Sequence, residues 1–398
     1  MSSILADVHT ITEQKSQAGY QLDPRTAMAN RLPGTIQPFL TWLTARPAPG
    51  EAAPALPATH YVHEAIGLMV AGIGLGAAAF IADDTLIFSL MLFISLTLTT
   101  SGLGLFQVVI FHHCGHGAVF KEKKHNRDVG RLISALFLFK HFDAYRQEHM
   151  MHHNARKLLT EDDEFADFVL GMCRLEPSLS KGELWRRVLL NVVFSPSFHV
   201  RFLYRRLKAA TTSPDRTHNL VSIGFWAGSF ALAAASGLLL PFLLVWVLPV
   251  TLLLQLATIG RILCEHRFPE PALIAARGRE FICLATAGVF PGAQPPEMAA
   301  TTAAGLLAWS GWWANMLTVQ LFVRLTVLVG DAPCHDFHHR RPAGEWTSYI
   351  HSRQNDVDAG CPGFPINYGE NWGLFSAIDE NLGTLAATPR DALPDWQH

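Results

Sequence analysis

Histidines recur in three short windows of this sequence, at spacings suited to metal binding. We call residues 112–116, 149–153 and 335–339 the first, second and third histidine windows. The histidines that carry the spacing are His112, His116, His149, His152, His153, His335, His338 and His339. Positions three and four apart share one face of a helix. Each window is therefore predicted to present two or three imidazoles together, and such faces could converge around two metal ions.

Two further histidines leave the size of the site open. His266, in the stretch Arg-Ile-Leu-Cys-Glu-His-Arg at 261–267, is either a ninth ligand or a histidine at the membrane interface. His113 points about 100° away from His112 on a helix, so it is predicted to support the site rather than bind metal.

The ligand type narrows the choice of metal. Imidazole suits iron, zinc, copper and nickel, but a zinc site usually takes four ligands. Eight or nine histidines are too many for one zinc ion and match two metal ions with open positions. Nearby acids could orient the imidazoles through their second ring nitrogen, or could be plain solvated acids. The candidates are Asp143, Glu148, Asp162, Asp163, Glu265 and Asp336.

The elements that must position these windows are predicted to be membrane helices. Of 398 residues, 49% are hydrophobic and only 16% charged, whereas soluble domains carry about 25% charged residues. A bilayer core needs about 20 helical residues to cross, and four apolar stretches are long enough. They are residues 62–82, 85–111, 218–236 and 238–260. The predicted fold is an all-α membrane protein with four transmembrane helices in two hairpins and a cytoplasmic helical cap that holds the metals.

The distribution of basic residues predicts the orientation of these helices. Residues 62–111 and 219–260 contain no Lys or Arg, and cytoplasmic segments are the ones enriched in them. The N-terminal 61 residues, residues 112–218 and everything after residue 260 are therefore predicted to be cytoplasmic. This arrangement puts all three histidine windows on one side of the membrane. No cleavable signal peptide is expected, because the N-terminal stretch is mixed and polar.

Two other segments allow alternatives. Residues 302–329 are long enough to span, but Arg324 and the tryptophans at 309, 312 and 313 favour an interfacial or re-entrant helix. If that segment crossed alone, the third window would lie outside. Residues 181–208 are amphipathic and basic, and are predicted to lie along the membrane surface or to form a solvated cytoplasmic helix.

Composition limits the function classes. A net charge of −2 does not indicate nucleic-acid binding. The six cysteines are scattered without a CxxC pair, which indicates neither a disulfide framework nor a zinc ribbon. A membrane metal transporter is the weaker alternative, because transporters usually place polar ligands inside their spans. Residues 65–111 and 219–260 contain no histidine, which disfavours transport and a haem electron carrier alike.

Four local motifs, in this order, resemble the integral-membrane fatty acid desaturase and hydroxylase superfamily over about residues 62–345. They are His-Cys-Gly-His-Gly at 113–117, Arg-Gln-Glu-His-Met-Met-His-His at 146–153, Arg-Ile-Leu-Cys-Glu-His-Arg at 261–267 and His-Asp-Phe-His-His at 335–339. One departure is His113, where many relatives have Asp. The domains implied are a cytoplasmic N-terminal tail (1–61), a desaturase-like membrane domain (62–345) and a cytoplasmic C-terminal extension (346–398).

The resemblance implies a non-haem di-iron centre and an O2-dependent reaction on a fatty acyl chain. An activated iron–oxygen species removes one hydrogen from an unactivated C–H bond. Loss of a second hydrogen leaves a double bond in a desaturase, while a hydroxylase or acetylenase gives another product on the same scaffold. The implied ligands are His112, His116, His149, His152, His153, His266, His335, His338 and His339. The acyl chain is expected to be linked to a lipid, to CoA or to a carrier protein.

The resemblance also implies a source of two electrons. No cytochrome b5-like His-Pro-Gly-Gly motif and no rubredoxin-like CxxC pair is present, so a separate donor of the ferredoxin, rubredoxin or cytochrome b5 type is expected. Basic residues could receive an acidic donor, or could serve only orientation and lipid headgroups. They are Lys121, Lys123, Lys124, Arg340 and Arg341.

Overall fold

The computed structural model describes residues 22–394 and shows a predominantly helical protein. Its α-helices are Pro24–Arg31, Gln37–Thr44, Ala58–Ala79, Thr85–Leu105, His112–His116, Lys123–Leu136, Phe142–His152, Glu164–Ala166, Lys181–Arg187, Pro196–Thr211, Arg216–Ala235, Leu239–Phe242, Leu254–Glu265, Pro271–Ala276, Arg279–Ala285, Ala303–Asn315, Leu321–Thr326, His335–Arg340, Tyr349–Asp358 and Leu374–Ala387. π-Helical segments join several of them, at Phe106–Phe111, Asp167–Met172, Val188–Val193, Leu243–Val247, Pro249–Leu253 and Met316–Gln320. Short 3-10 turns lie at Gly34–Ile36, Ala332–Cys334, Trp346–Ser348 and Arg390–Ala392, and the strands Gly288–Phe290 and Glu370–Trp372 pair in parallel.

Three continuous helices within the described residues are long and apolar enough to cross a membrane. They are Ala58–Ala79, Thr85–His116 and Leu239–Glu265, and they correspond to the first, second and fourth predicted spans. The third predicted span, residues 218–236, forms the helix Arg216–Ala235, which is not among the three. The four-span arrangement therefore remains a prediction.

The first two of these helices pack closely because small residues line their contact. A Cβ atom on Gly72 would lie 2.6 Å from the backbone nitrogen of Thr99, and one on Gly102 would lie 2.7 Å from the carbonyl oxygen of Ala65. The Ser95 hydroxyl donates a hydrogen bond to the Gly72 carbonyl at 2.7 Å. Such backbone contact between apolar helices is the way membrane helices gain packing energy without a hydrophobic driving force.

The second helix carries the first histidine window at its end. Thr85–His116 has 32 residues, which makes it about 48 Å long at 1.5 Å per residue. A bilayer core is about 30 Å thick, so the excess length can lift the last turns clear of the hydrocarbon. The first histidine window occupies those turns.

Residues 303–326 form one helix that packs on the N-terminal segment. The Arg324 guanidinium donates to the Trp42 carbonyl oxygen at 2.7 Å and lies over the Trp42 ring. Trp312, on the same helix, lies in a small buried cluster with Leu40. This helix is not among the three candidate spans. Its interfacial or re-entrant position stays a prediction.

The C-terminal extension packs against the third histidine window. Arg353, on the helix Tyr349–Asp358, donates three hydrogen bonds to Asp336 and one to Glu370. The side chains of Arg353 and Asp336 are 1% and 0% exposed, respectively. This buried ion pair ties the extension to the window, so residues beyond 345 support the site from outside the segment that carries it.

Candidate metal centre

Three short helices present the histidine windows. His112 and His116 lie on a single turn of helix that follows the π-helical segment Phe106–Phe111. That turn ends at Gly117, whose φ of 72° is in the left-handed region and suits a helix end without a Cβ penalty. The i, i+4 spacing then keeps both imidazoles on one face.

The other predicted ligands come from three more positions in the chain. The second window lies at the end of the helix Phe142–His152, with His153 as its C-cap, and the third lies on the helix His335–Arg340. His266 is the first residue after the helix that ends at Glu265, and it has an extended backbone bridged to Thr286. The helix therefore ends just before His266, and the chain continues from there in an extended conformation.

All nine predicted ligands fall into two groups. Within each group, one ring nitrogen per histidine lies within 4.8 Å of those of the other members. Group A consists of His112, His116, His149, His153 and His338. Group B consists of His152, His266, His335 and His339. The sequence left His266 open between ligand and interfacial histidine, and the structure places it in group B.

Group A is built from paired Nε2 atoms. His112 and His338 approach at 2.7 Å between their Nε2 atoms, although they are 226 residues apart in sequence. His149 Nε2 lies 2.9 Å from that of His116 and 3.0 Å from that of His153. The first, second and third windows thus all contribute to one cluster of ring nitrogens.

Group B repeats this geometry around His339. Its Nε2 atom lies 3.2 Å from His266 Nε2 and 3.1 Å from His335 Nε2. The ring of His152 packs against the rings of His266 and His339, with centroids 4.7 Å and 4.9 Å away. The two groups adjoin each other, because the rings of His153 and His339 stack with centroids 4.4 Å apart.

The nitrogen spacing fits ligands that share an ion. Two nitrogens bound at about 2.0–2.1 Å, the usual Zn–N length, lie about 2.8–3.0 Å apart at right angles and about 3.3–3.4 Å apart at the tetrahedral angle. The five Nε2 pairs lie 2.7, 2.9, 3.0, 3.1 and 3.2 Å apart. The three group A values, 2.7–3.0 Å, lie nearer the right-angle geometry, which favours a site with more than four coordination positions there. The two group B values, 3.1 and 3.2 Å, lie between the two geometries.

Burial keeps these imidazoles in the form that binds metal. Burial is the largest cause that holds the pKa of six of these histidines well below the usual 6.5, and the neighbouring imidazoles lower it further. They are His149, His153, His266, His335, His338 and His339. A neutral imidazole offers a lone pair, whereas a protonated one cannot bind a cation. These six imidazoles are therefore in the neutral form, which can bind metal, at neutral pH.

His152 is held differently, by a buried acid. Its Nδ1 atom lies 2.7 Å from Asp163, whose side chain is 0% exposed. Burial opposes the charged form of His152, but the attraction and hydrogen bond of Asp163 outweigh it and raise the pKa. An Nδ1–H donated to this carboxylate leaves the Nε2 lone pair free for metal, the arrangement seen around many metal-bound histidines.

The other five predicted acids pair with Lys or Arg, and Asp143 also lies 4.0 Å from His141, a histidine outside both groups. The pairs are Asp143 with Arg127 and Arg131, Glu148 with Lys140, Asp162 with Lys157, Glu265 with Arg261, and Asp336 with Arg353. Of the six candidates, only Asp163 has the predicted orienting contact.

Two tyrosines that sequence reasoning missed contact group A from outside. The Tyr349 hydroxyl lies 3.0 Å from Nδ1 of His338, and the Tyr145 hydroxyl lies 3.4 Å from Nδ1 of His112. Tyr145 precedes His149 by four residues on one helix, so its place on the same face was visible as a local spacing. Tyr349 lies beyond the last window and gave no such signal.

His113 lies outside both groups, in agreement with its predicted supporting role. Its Nε2 atom lies 2.8 Å from the Asp331 carboxylate, and its ring stacks on Trp346 with centroids 4.5 Å apart. The side chain is 1% exposed. His113 therefore links the first window to the turn that precedes the third.

The predicted donor-docking residues separate into two classes. Lys121, Lys123 and Lys124 are exposed. Arg340 is buried, donates to the Ile366 carbonyl and lies 3.9 Å over the Tyr368 ring, while Arg341 pairs with Asp356. The two arginines thus hold the C-terminal extension, and only the lysines remain available to a partner.

The fatty acid desaturase family model matches residues 87–349, more than half of the chain and all four candidate ligand segments. No curated protein and no solved structure matches the chain significantly. The match and the two histidine groups agree on a membrane oxidoreductase with a metal site and desaturase- or hydroxylase-type activity. The chain belongs to the fatty acid desaturase family.

Proposed function

We propose that this protein is an O2-dependent di-iron desaturase that introduces a double bond into a fatty acyl chain linked to a lipid, to CoA or to a carrier protein. The observation that carries the proposal is the pair of adjoining all-histidine groups, with five and four members. We assign one iron to each group and a ligand role to all nine histidines. Iron supplies the oxygen activation needed to attack an unactivated C–H bond.

The donor set supports iron over zinc. Zinc sites are usually four-coordinate and tetrahedral, whereas group A offers five nitrogens at spacings near those of right-angle ligands. The protein's own residues fix this set: Asp163 orients His152, and Tyr349 contacts His338. These contacts hold the imidazoles in place before metal arrives, which reduces the ordering needed on binding.

The meeting of the three windows supports one active face. Residues of the first and third windows approach within hydrogen-bond distance, which supports both windows facing the same compartment. We propose that this is the cytoplasm, with four spans in two hairpins below it. A separate electron donor would then approach from the cytoplasm, and the exposed lysines at 121, 123 and 124 are the candidate contact.

The test is expression of the full chain in a host with analysed lipids, combined with metal quantitation. We expect two irons per chain, an O2-dependent unsaturated product, and loss of the product on His152→Ala in group B or His338→Ala in group A. The matched control is His125→Ala, because His125 lies outside both groups and its side chain is 57% exposed. Zinc alone with unchanged lipids would contradict the proposal, and a hydroxylated product would favour the hydroxylase alternative.

A further inference from the structure

The helix Pro196–Thr211 has three separate faces. Its inner face, at positions 198, 202, 206 and 210, packs on the protein: Phe198 and Ala210 are 0% exposed. Its outer face is apolar: Val200, Tyr204 and Leu207 are 67%, 62% and 39% exposed. At 3.6 residues per turn these two faces point in nearly opposite directions.

The third face is basic and lies beside the apolar one. Arg201, Arg205 and Lys208 are exposed and recur at the i, i+4, i+7 spacing of one helical stripe. Arg205 has a long ion pair with Asp167, at 3.4 Å between partly exposed groups, and such pairs contribute little in water. The helix therefore presents apolar side chains outward with positive charge along one flank.

The preceding helical segment extends the apolar surface. Leu189, Leu190 and Phe194 lie at its end and are 43%, 55% and 72% exposed. Six large apolar side chains thus face outward from residues 189–207. Large apolar side chains exposed at this density along one segment indicate contact with a membrane or with another protein.

The position of the helix against a candidate span favours lipid, rather than another protein, as the contact of its apolar face. Gln255 approaches Nδ1 of His199 at 2.7 Å, and Arg206 donates to the Thr251 carbonyl at 3.1 Å. Both partners lie within the apolar helix Leu239–Glu265, not beyond its end. Gln255 precedes Glu265 by ten residues, which is about 15 Å of helix. The outward apolar face is therefore at a height where lipid surrounds the neighbouring helix.

We propose that residues 189–208 form an interfacial helix pair that inserts its apolar face among acyl chains and binds anionic lipid headgroups through Arg201, Arg205 and Lys208. This geometry is that of helices that lie in the plane of a membrane, where apolar burial and attraction to anionic lipid act together. It decides between the two alternatives that the sequence left for this segment, and it does not depend on the proposed enzymatic reaction.

The depth of the helix can be measured in the full-length protein reconstituted in bilayers. All six native cysteines are buried, so a fluorophore can be placed selectively by Val200→Cys or Tyr204→Cys. We expect strong quenching by brominated acyl chains and protection from aqueous iodide, with the reverse pattern for Asp358→Cys, an exposed control. Iodide access at position 204 would overturn the proposal. Protection from both quenchers would also overturn it, because another protein would then cover the face.

The headgroup preference is tested with the same label at position 204. Bromine carried only by phosphatidylglycerol should quench more than bromine carried only by phosphatidylcholine at equal fractions. Arg201→Gln with Lys208→Gln should abolish this difference, while Lys123→Gln with Lys124→Gln, an equal change of charge elsewhere, should retain it. Equal quenching by the two lipids in the unmodified chain would overturn the anionic-lipid assignment. Thermal unfolding of each variant reports that it is folded.

Discussion

Asp163 accepts a hydrogen bond from the imidazole of His152 at 2.7 Å, and no surface of that carboxylate side chain reaches solvent. The same carboxylate also accepts from the backbone N–H groups of Leu159 and Phe165. These bonds hold the Asp163 carboxylate in place. The carboxylate in turn engages Nδ1 of His152, which leaves Nε2 for the other members of group B. The orientation of a proposed ligand is therefore set by a residue outside both histidine groups.

The first prediction concerns this acid. Asp163→Asn removes the negative charge that stabilises the Nδ1–H tautomer of His152, so group B should bind iron more weakly. Loss of such a contact typically lowers metal affinity or activity about 10–100-fold. We expect about one iron per chain in place of two, measured by metal analysis after dialysis. Asp162→Asn is the matched control, because that side chain is 52% exposed and pairs with Lys157; equal iron loss in both variants would contradict the assignment.

The second prediction concerns pH in the metal-free protein. Burial holds the pKa of His149, His335 and His338 well below 6.5, so the unfolded chain binds protons there that the folded chain does not. Stability then rises with pH, and it is lost as pH falls below about 6.5. His152, whose pKa is raised, stabilises the folded chain more at low pH, but the histidines with a lowered pKa outnumber it. Thermal unfolding of the chelated protein should shift to lower temperature as pH falls from about 7 to about 5; an unchanged midpoint would contradict it.

The members of the two histidine groups could be predicted because their spacing is local, whereas their division between the groups could not. His152 and His153 are chain neighbours, yet they belong to groups B and A. In the third window, His338 belongs to group A while His335 and His339 belong to group B. A one-residue step turns a side chain about 100° around a helix, so the grouping depends on how separate helices are rotated toward each other.

Contacts between distant segments were beyond sequence reasoning for the same reason. Asp331 pairs with His113 across 218 residues, and Tyr349 reaches His338 from outside the third window. Neither has a periodic signal. For residues 218–236 the sequence correctly predicted a helix, but whether it crosses the membrane depends on lipid contact that helix periodicity does not report.

The third prediction concerns the packing of the first two candidate spans. Gly72→Ala should destabilise the protein because its Cβ would lie 2.6 Å from the Thr99 backbone nitrogen, an atom that cannot rotate away. Overpacking of this kind costs about 1–3 kcal/mol. Gly74→Ala is the control on the same helix, since nothing lies within 4 Å of its Cβ position. Thermal unfolding in detergent should separate the two variants, and equal midpoints would contradict the close approach.

The fourth prediction concerns the buried ion pair behind the third window. Arg353→Met leaves Asp336 as an unpaired buried charge, a change that costs about 3–5 kcal/mol when one partner of such a pair is removed. Adding Asp336→Asn should restore part of the stability, because the uncompensated charge is then gone. Lys181→Met is the control at an exposed pair with Asp379 and should leave the unfolding midpoint unchanged. Failure of the second substitution to recover any stability would argue against the charge as the cause.

The last prediction concerns His113, the position at which many desaturase relatives carry Asp. Here the residue faces the Asp331 carboxylate at 2.8 Å in a site where it is 1% exposed. His113→Asp would place two carboxylates together, and like charges at such a distance cannot both ionise without a large penalty. We therefore expect the family residue to lower stability and iron content in this chain.

A second substitution separates charge from shape in this pair. His113→Asp with Asp331→Asn should recover iron binding, since an amide can donate to the new carboxylate. His113→Asn is the matched single variant, close in size to Asp but uncharged, and it should lose less iron than His113→Asp. Metal analysis and thermal unfolding of the three variants give the comparison. If His113→Asp alone retained two irons per chain, Asp331 would not be the partner that makes histidine necessary at this position.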